Sequence, residues 1–157
     1  MIRLDLTNAK LDEDLSKWQD KVSKAHKDLH EKTGKGNDFL GWVDWPVNYD
    51  KDEFKRILDL KNRMKGKYDT VLVCGIGGSY LGARAALEMV KGLYPNDGIE
   101  VIFVGNTFST SYISQVLDHI KNKEVVLNVI SKSGTTTETS ISFRIFKQFM
   151  EEKYGED

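Results

Sequence analysis

Two hydrophobic periods divide the chain. In the first third, Leu11, Leu15, Trp18, Val22, Ala25 and Leu29 recur at spacings of 4, 3, 4, 3 and 4. Such a stripe predicts an amphipathic helix of about 20 residues ending near Thr33-Gly34. The spacing also fits a coiled coil, but the run is shorter than four heptads, which favours a helix packed on a domain. Lys35 to Asp38 reads as a loop, and Phe39-Leu-Gly-Trp-Val-Asp-Trp-Pro46 as an aromatic connector covering a core. A second helix is expected over about Lys51 to Lys65, with Phe54, Ile57, Leu58 and Met64 inward.

From Tyr68 onward the period changes. Asp69 to Cys74 is a short continuous apolar run closing on Gly75-Ile-Gly-Gly, the pattern of a strand buried on both faces. Leu81 to Val90 then reads as a helix, Glu100 to Val104 as a second strand, and the next segment as a helix with Tyr112, Ile113, Val116, Leu117 and Ile120 inward. Glu124 to Ile130 gives a third strand, and Thr136 to Lys153 a last helix burying Ile141, Ile145, Phe146, Phe149 and Met150. Strands alternating with helices over short links imply right-handed parallel βαβ units. The predicted fold is therefore α/β, a three-layer parallel sheet in the order 2-1-3, preceded by N-terminal helices. The expected boundaries are 1–67 for the helical segment and 68–157 for the sheet domain. Three strands make a narrow sheet, and doubly wound domains usually continue further. The chain thus reads as the front of a larger protein or an unusually small version of one, with an edge on the third strand that something must cover.

Composition narrows the function. The 157 residues carry 23 basic and 24 acidic side chains, a formal charge of −1, which disfavours nucleic acid as a main partner. Charged residues at 30% and hydrophobic ones at 39% fit an ordered globular chain rather than a disordered one. One cysteine, Cys74, cannot build a disulfide framework or a cysteine-rich zinc site, and it fits a reducing compartment. No apolar run reaches the roughly 20 residues that span a bilayer, and the start lacks a signal-peptide core. The expected location is the cytoplasm, with no membrane partner.

Two turns carry the candidate chemistry. Gly75-Ile-Gly-Gly-Ser-Tyr-Leu-Gly82 follows the first strand, and Ser131-Lys-Ser-Gly-Thr-Thr-Thr-Glu-Thr139 follows the third. In the order 2-1-3 those strands are neighbours whose helices lie on opposite faces, which opens a crevice at their carboxyl ends. Glycines let backbone N–H groups approach a ligand closely, and a helix N-terminus adds unsatisfied donors and about half a positive charge. Ser79, Ser131, Ser133, Thr135 and Thr136 add hydroxyl donors, and Lys132 a mobile cation. That density of donors suits a phosphate. A simpler reading of the second turn is a capping box, Thr135-x-x-Glu138, in which Glu138 serves the helix rather than a ligand.

Other motifs fail on detail. A dinucleotide fingerprint needs a third glycine where Tyr80 stands, and an acidic residue where the second strand ends in Val104-Gly-Asn106. The Walker pattern lacks its Gly-Lys-Ser/Thr triplet. His26 and His30 have a legal metal spacing, but Lys27 stands where a metalloprotease has its Glu, so they read as polar residues flanking the stripe. His119 suits a helix C-terminus. Cys74 reads as a small hydrophobe; a reactive thiolate would need an electropositive neighbour such as Lys132.

Val71-Leu-Val-Cys-Gly-Ile-Gly-Gly-Ser-Tyr-Leu-Gly-Ala-Arg84 and Val129-Ile-Ser-Lys-Ser-Gly-Thr-Thr-Thr-Glu-Thr139, in this order on successive βα units, resemble the glucose-6-phosphate isomerase family of the bacterial type. The resemblance runs over essentially the whole chain. It implies a flavodoxin-like sugar-isomerase (SIS) domain, a homodimer with two domains of this kind per chain, and reversible conversion of glucose 6-phosphate to fructose 6-phosphate without metal or organic cofactor. By the same resemblance, Gly78 and Ser79 contact the sugar phosphate, and Ser131, Lys132, Ser133, Thr135 and Thr136 cradle its phosphate.

The family's catalytic Glu, His, Lys and Arg belong to downstream segments that this sequence does not match, and His26, His30 and His119 lie outside the family's His context. The expectation is therefore a phosphate-gripping portion with no catalytic residue of its own, inactive alone. The alternative is a non-catalytic sugar-phosphate-binding module of the same fold. No helix-turn-helix segment points to a regulator.

Overall fold

A computed structural model describes residues 3–10, 13–93 and 98–156. Leu11 of the first stripe lies outside the described residues. Close contacts divide the chain into two units, Met1–Leu58 and Asp59–Asp157.

In the first unit the predicted long helix is shorter. A 3₁₀ turn, Leu15–Trp18, starts where the Asp14 carboxylate accepts the Ser16 N–H at 2.9 Å, and helix α1 follows over Gln19–His30. The aromatic connector is itself helical: α2 spans Gly41–Asn48 with Pro46 inside it. Helix α3, Lys51–Met64, begins where the Asp50 carboxylate accepts the N–H groups of Asp52 and Glu53, both at 2.9 Å, and it bridges the division between the units. The inward stripe expected on α3 is not buried, and Phe54, Ile57 and Leu58 are exposed.

The second unit holds the sheet. Strands β1 (Thr70–Cys74), β2 (Glu100–Val104) and β3 (Val125–Val129) are parallel, as the alternation predicts, and stand in the expected order β2-β1-β3. Thr70 pairs with Glu100 on one side and Val125 on the other, so all three strands end level at Cys74, Val104 and Val129. The connecting helices are α4 (Leu81–Lys91), α5 (Thr110–Ile120) and α6 (Thr137–Tyr154).

The core lies on one face of this sheet. Leu72, Cys74, Val104 and Val125 meet Ile113, Val116 and Ile120 of α5 and Phe146 of α6. At about 25 cal/mol per Å² of apolar surface, a fully buried aromatic such as Phe146 contributes about 2–3 kcal/mol. One expected core residue is misplaced. Ile141 is 40% exposed, while Thr139 and Ser142 are buried at 3% and 1%. Small polar side chains let α6 approach β1, where the Cys74 thiol donates to the Thr139 carbonyl at 3.5 Å. Across the sheet no α4 residue is buried, and an open groove runs between Leu87, Leu93, Val101 and Phe103. On the far side of β3 a second groove follows Val125, Val126 and Leu127 to Met150 and Tyr154 of α6, the open edge that the strand count foretells.

Candidate functional site

The two chemistry-bearing turns leave the sheet side by side. Ladder hydrogen bonds continue one residue past the strands: the Gly75 N–H donates to the Val104 carbonyl and the Ile130 N–H to the Cys74 carbonyl, both at 2.9 Å. Gly75 is hemmed in from three directions. A Cβ there would lie 3.1 Å from the Ser79 Cβ and 3.2 Å from the Ile130 carbonyl oxygen. From the β2 side, Gly105 (φ +88°) comes so near that its own Cβ would stand 2.9 Å from the Gly75 nitrogen. A side chain at Gly105 would collide with backbone, and one at Gly75 would force its neighbours to give by a few tenths of an ångström. Ser79 of the first turn and Ile130, next to Ser131 of the second, thereby both lie against the same glycine.

The first turn is a short 3₁₀ helix, Gly77–Ser79, entered through Gly77 at φ +57°. Gly78 is exposed and Ser79 half-buried. Helix α4 starts directly after Tyr80 with no side chain capping its amides.

The second turn orders its own alcohols. The Ser131 hydroxyl oxygen accepts the Gly134 N–H at 2.9 Å, and the Ser133 oxygen accepts the Thr135 N–H at 3.3 Å and the Thr135 hydroxyl at 2.9 Å. A serine oxygen that accepts still keeps its own proton to donate, so Ser131 and Ser133 stay available, while the Thr135 hydroxyl spends its proton on Ser133. The expected capping box is not formed. Thr135 bonds to Ser133 instead, the cap of α6 is Thr136, and its side chain makes no capping bond. Glu138 sits in the first turn of α6, where the helix dipole favours a carboxylate. The first amides of an 18-residue helix thus open towards the turn without a capping side chain. Lys132 is exposed and pairs with no carboxylate among the described residues. Thr139, the last alcohol of the motif, is buried in the core and takes no part.

The comparisons agree on the family of the chain. The phosphoglucose isomerase family model matches residues 56–157. The chain belongs to the phosphoglucose isomerase family.

Within that family, the glucose-6-phosphate isomerase of Clostridium tetani (strain Massachusetts / E88) is 50% identical over 164 residues, which cover 98% of this chain and 36% of that protein. The enzyme of the same name from Staphylococcus epidermidis is 51% identical over 146 residues, covering 92% and 33%. Among solved structures, a hypothetical protein from Thermus thermophilus superposes with a TM-score of 0.71 at 25% identity, over 91% of this chain and 32% of its own. The chain spans about a third of the length of these relatives.

Within this phosphoglucose isomerase family chain, the structure gives the two residues that depart from the dinucleotide pattern a place. Tyr80 and Asn106, which break that pattern, bond to each other: the Asn106 amide donates to the Tyr80 hydroxyl at 3.2 Å. Their pairing joins the ends of β1 and β2, residues 26 apart in sequence, and no local spacing announces it.

The remaining candidates have local partners of their own. Cys74 is fully buried, and desolvation pushes its thiol up to about 11, so it is packing rather than a nucleophile. His119 lies at the other end of the sheet, its Nε2 3.0 Å from both Glu100 carboxylate oxygens and 2.7 Å from Lys123 Nζ. In the first unit the rings of His26 and His30 touch at a tilt of 51°, with centroids 4.3 Å apart. Among the described residues no group of three His, Cys, Asp or Glu side chains is placed to hold a metal, and no helix is long and apolar enough to cross a membrane.

Proposed function

We propose that this chain provides the phosphate-gripping part of a glucose-6-phosphate isomerase, acting in glycolysis and gluconeogenesis on glucose 6-phosphate and fructose 6-phosphate. The observation that supports the reading is the crowding of Gly75 by the Ser79 Cβ and the Ile130 carbonyl, which sets the two donor-rich turns next to each other. Gly78 and Ser79 approach the sugar phosphate from one side. Ser131, Ser133 and Thr136 donate from the other, joined by Thr135 once its hydroxyl turns from Ser133 to the ligand, with the first amides of α6 behind them and Lys132 supplying charge. A phosphate dianion offers enough acceptor oxygens to occupy these donors together.

Mechanistically, the grip anchors the end of the substrate remote from the reaction. Binding energy spent there fixes C1 and C2 in a productive position, so part of the entropy of orientation is met before any proton moves. Moving a proton between those carbons needs a carboxylate or imidazole within hydrogen-bond reach. Glu138, the carboxylate of the second turn, serves the start of α6 in this scheme, and we assign the proton transfer to the rest of the enzyme, in a homodimer in the cytoplasm. No metal or organic cofactor enters this scheme.

Calorimetric titration of the chain tests it. Fructose 6-phosphate and inorganic phosphate should bind competitively with sulfate, and fructose should not bind. Equal affinity for fructose and fructose 6-phosphate would sink the reading.

A further inference from the structure

The phosphate turn after β1 is weakly held by its own backbone. Its two 3₁₀ hydrogen bonds, Ser79 N–H to Ile76 and Tyr80 N–H to Gly77, are both 3.2 Å long, at the loose end of the ordinary range. The residue that follows is tied down at three points. The Tyr80 carbonyl accepts the Arg84 N–H at 2.8 Å, its ring lies against Phe103 with centroids 5.6 Å apart, and its hydroxyl accepts from Asn106 at 3.2 Å. Tyr80 is therefore fastened to α4 and to the end of β2, one residue after Ser79.

Asn106 has an unusual balance. Its amide nitrogen is bonded, but its carbonyl oxygen is buried with no hydrogen-bond partner. A hydrogen bond contributes little net stability, and an unpaired buried acceptor costs a similar amount or more. The two ends of this amide nearly cancel in the folding balance. What remains is local: the side chain fixes where Tyr80 stands.

We infer that the Asn106–Tyr80 hydrogen bond is a brace that positions Gly78 and Ser79 and sets how tightly their turn grips an anion. The second half of this inference rests on the phosphate reading above; the first half does not. Tyr80 and Asn106 are positioning residues, since neither is required to touch the ligand.

Amide hydrogen exchange and phosphate titration of the chain test both halves, using Tyr80→Phe, Asn106→Ala and the double variant. Tyr80→Phe keeps the ring on Phe103 and removes only the hydroxyl. Losing one bond of this kind should speed exchange at the Ser79 and Tyr80 amides about fivefold. Both single variants should show it, the double variant should be no faster, and the β1 amides should not change. Inorganic phosphate affinity should fall by about the same factor, again without adding in the double variant. Unchanged exchange at Ser79 in both variants overturns the brace. Faster exchange with unchanged phosphate affinity overturns its role in gripping the anion and leaves the proposed function standing. A wild-type chain that binds no phosphate overturns that function and the gripping role together.

Discussion

The Gly75 Cα faces the Ile130 carbonyl so closely that a methyl group there would stand 3.2 Å from that oxygen and 3.1 Å from the Ser79 Cβ. Both neighbours belong to backbone or to the first atom of a side chain, so neither can swing away. Gly75→Ala must therefore push the two turns apart by a few tenths of an ångström. Overpacking of this kind costs about 1–3 kcal/mol, which for a chain of this size lowers Tm by roughly 3–10 °C. Thermal melting followed by circular dichroism checks it. Phosphate affinity should fall further than the stability loss explains, because the strain is applied at the crevice itself.

Lys132 is the charge in the second turn. It is exposed and holds no carboxylate among the described residues, so removing it leaves no partner stranded. Lys132→Ala should weaken phosphate binding about 10- to 100-fold, the worth of a charge-assisted hydrogen bond, and the loss should shrink as salt rises. In an intact isomerase the same change should raise KM more than it lowers kcat, since the group binds ground and transition states alike. A loss confined to kcat would contradict an anchoring role.

How much of this was legible in the chain varies with the physics of each part. Val71 to Cys74 and Val101 to Val104 are continuous apolar runs, so they reveal themselves as strands of a parallel sheet. The two turns show their chemistry because glycines and alcohols do local work that any neighbour in sequence can report. Helix α2 hid behind Pro46, which ordinarily ends helices; here the helix closes two residues later, at Asn48, so little ladder is lost. The face of α6 was misjudged at Ile141 because close approach to β1 selects small side chains, and Thr139 and Ser142 carry no hydrophobic signal. The Asn106–Tyr80 bond depends on where two strand ends meet in space, and hydrophobic period says nothing of that.

Cys74 should be inert at neutral pH. Burial in the core removes solvation from the thiolate and pushes the thiol from 9.0 up to about 11. Alkylation of the native chain at pH 8 should be negligible and should become rapid in denaturant. The sign for stability follows: a raised folded-state value favours the protonated thiol, so its contribution is intact below pH 9 and is lost as pH rises towards 11. Rapid labelling of folded protein at pH 8 would contradict this burial.

Glu100 governs the acid side. It stands at the start of β2, where it accepts from Lys123 Nζ at 2.7 Å and from the buried Thr70 hydroxyl at 3.3 Å, with His119 Nε2 at 3.0 Å. Burial alone would raise its pKa, but the hydrogen bonds and charges of Lys123 and His119 outweigh that and hold it below the usual 4.5. A depressed carboxylate stabilises the fold above its unfolded value and loses that contribution as pH falls through the folded one. Wild-type stability should therefore decline below pH 4.5, and Glu100→Gln should be weaker than wild type at pH 7 yet show a shallower decline in acid. The Glu100 side chain is 42% exposed, so the difference should be small and should shrink further in salt. Urea unfolding at pH 7 and at pH 3.5, with and without added salt, measures it. Parallel pH profiles for the two proteins would show that the cluster around Glu100 carries no net charge coupling to folding.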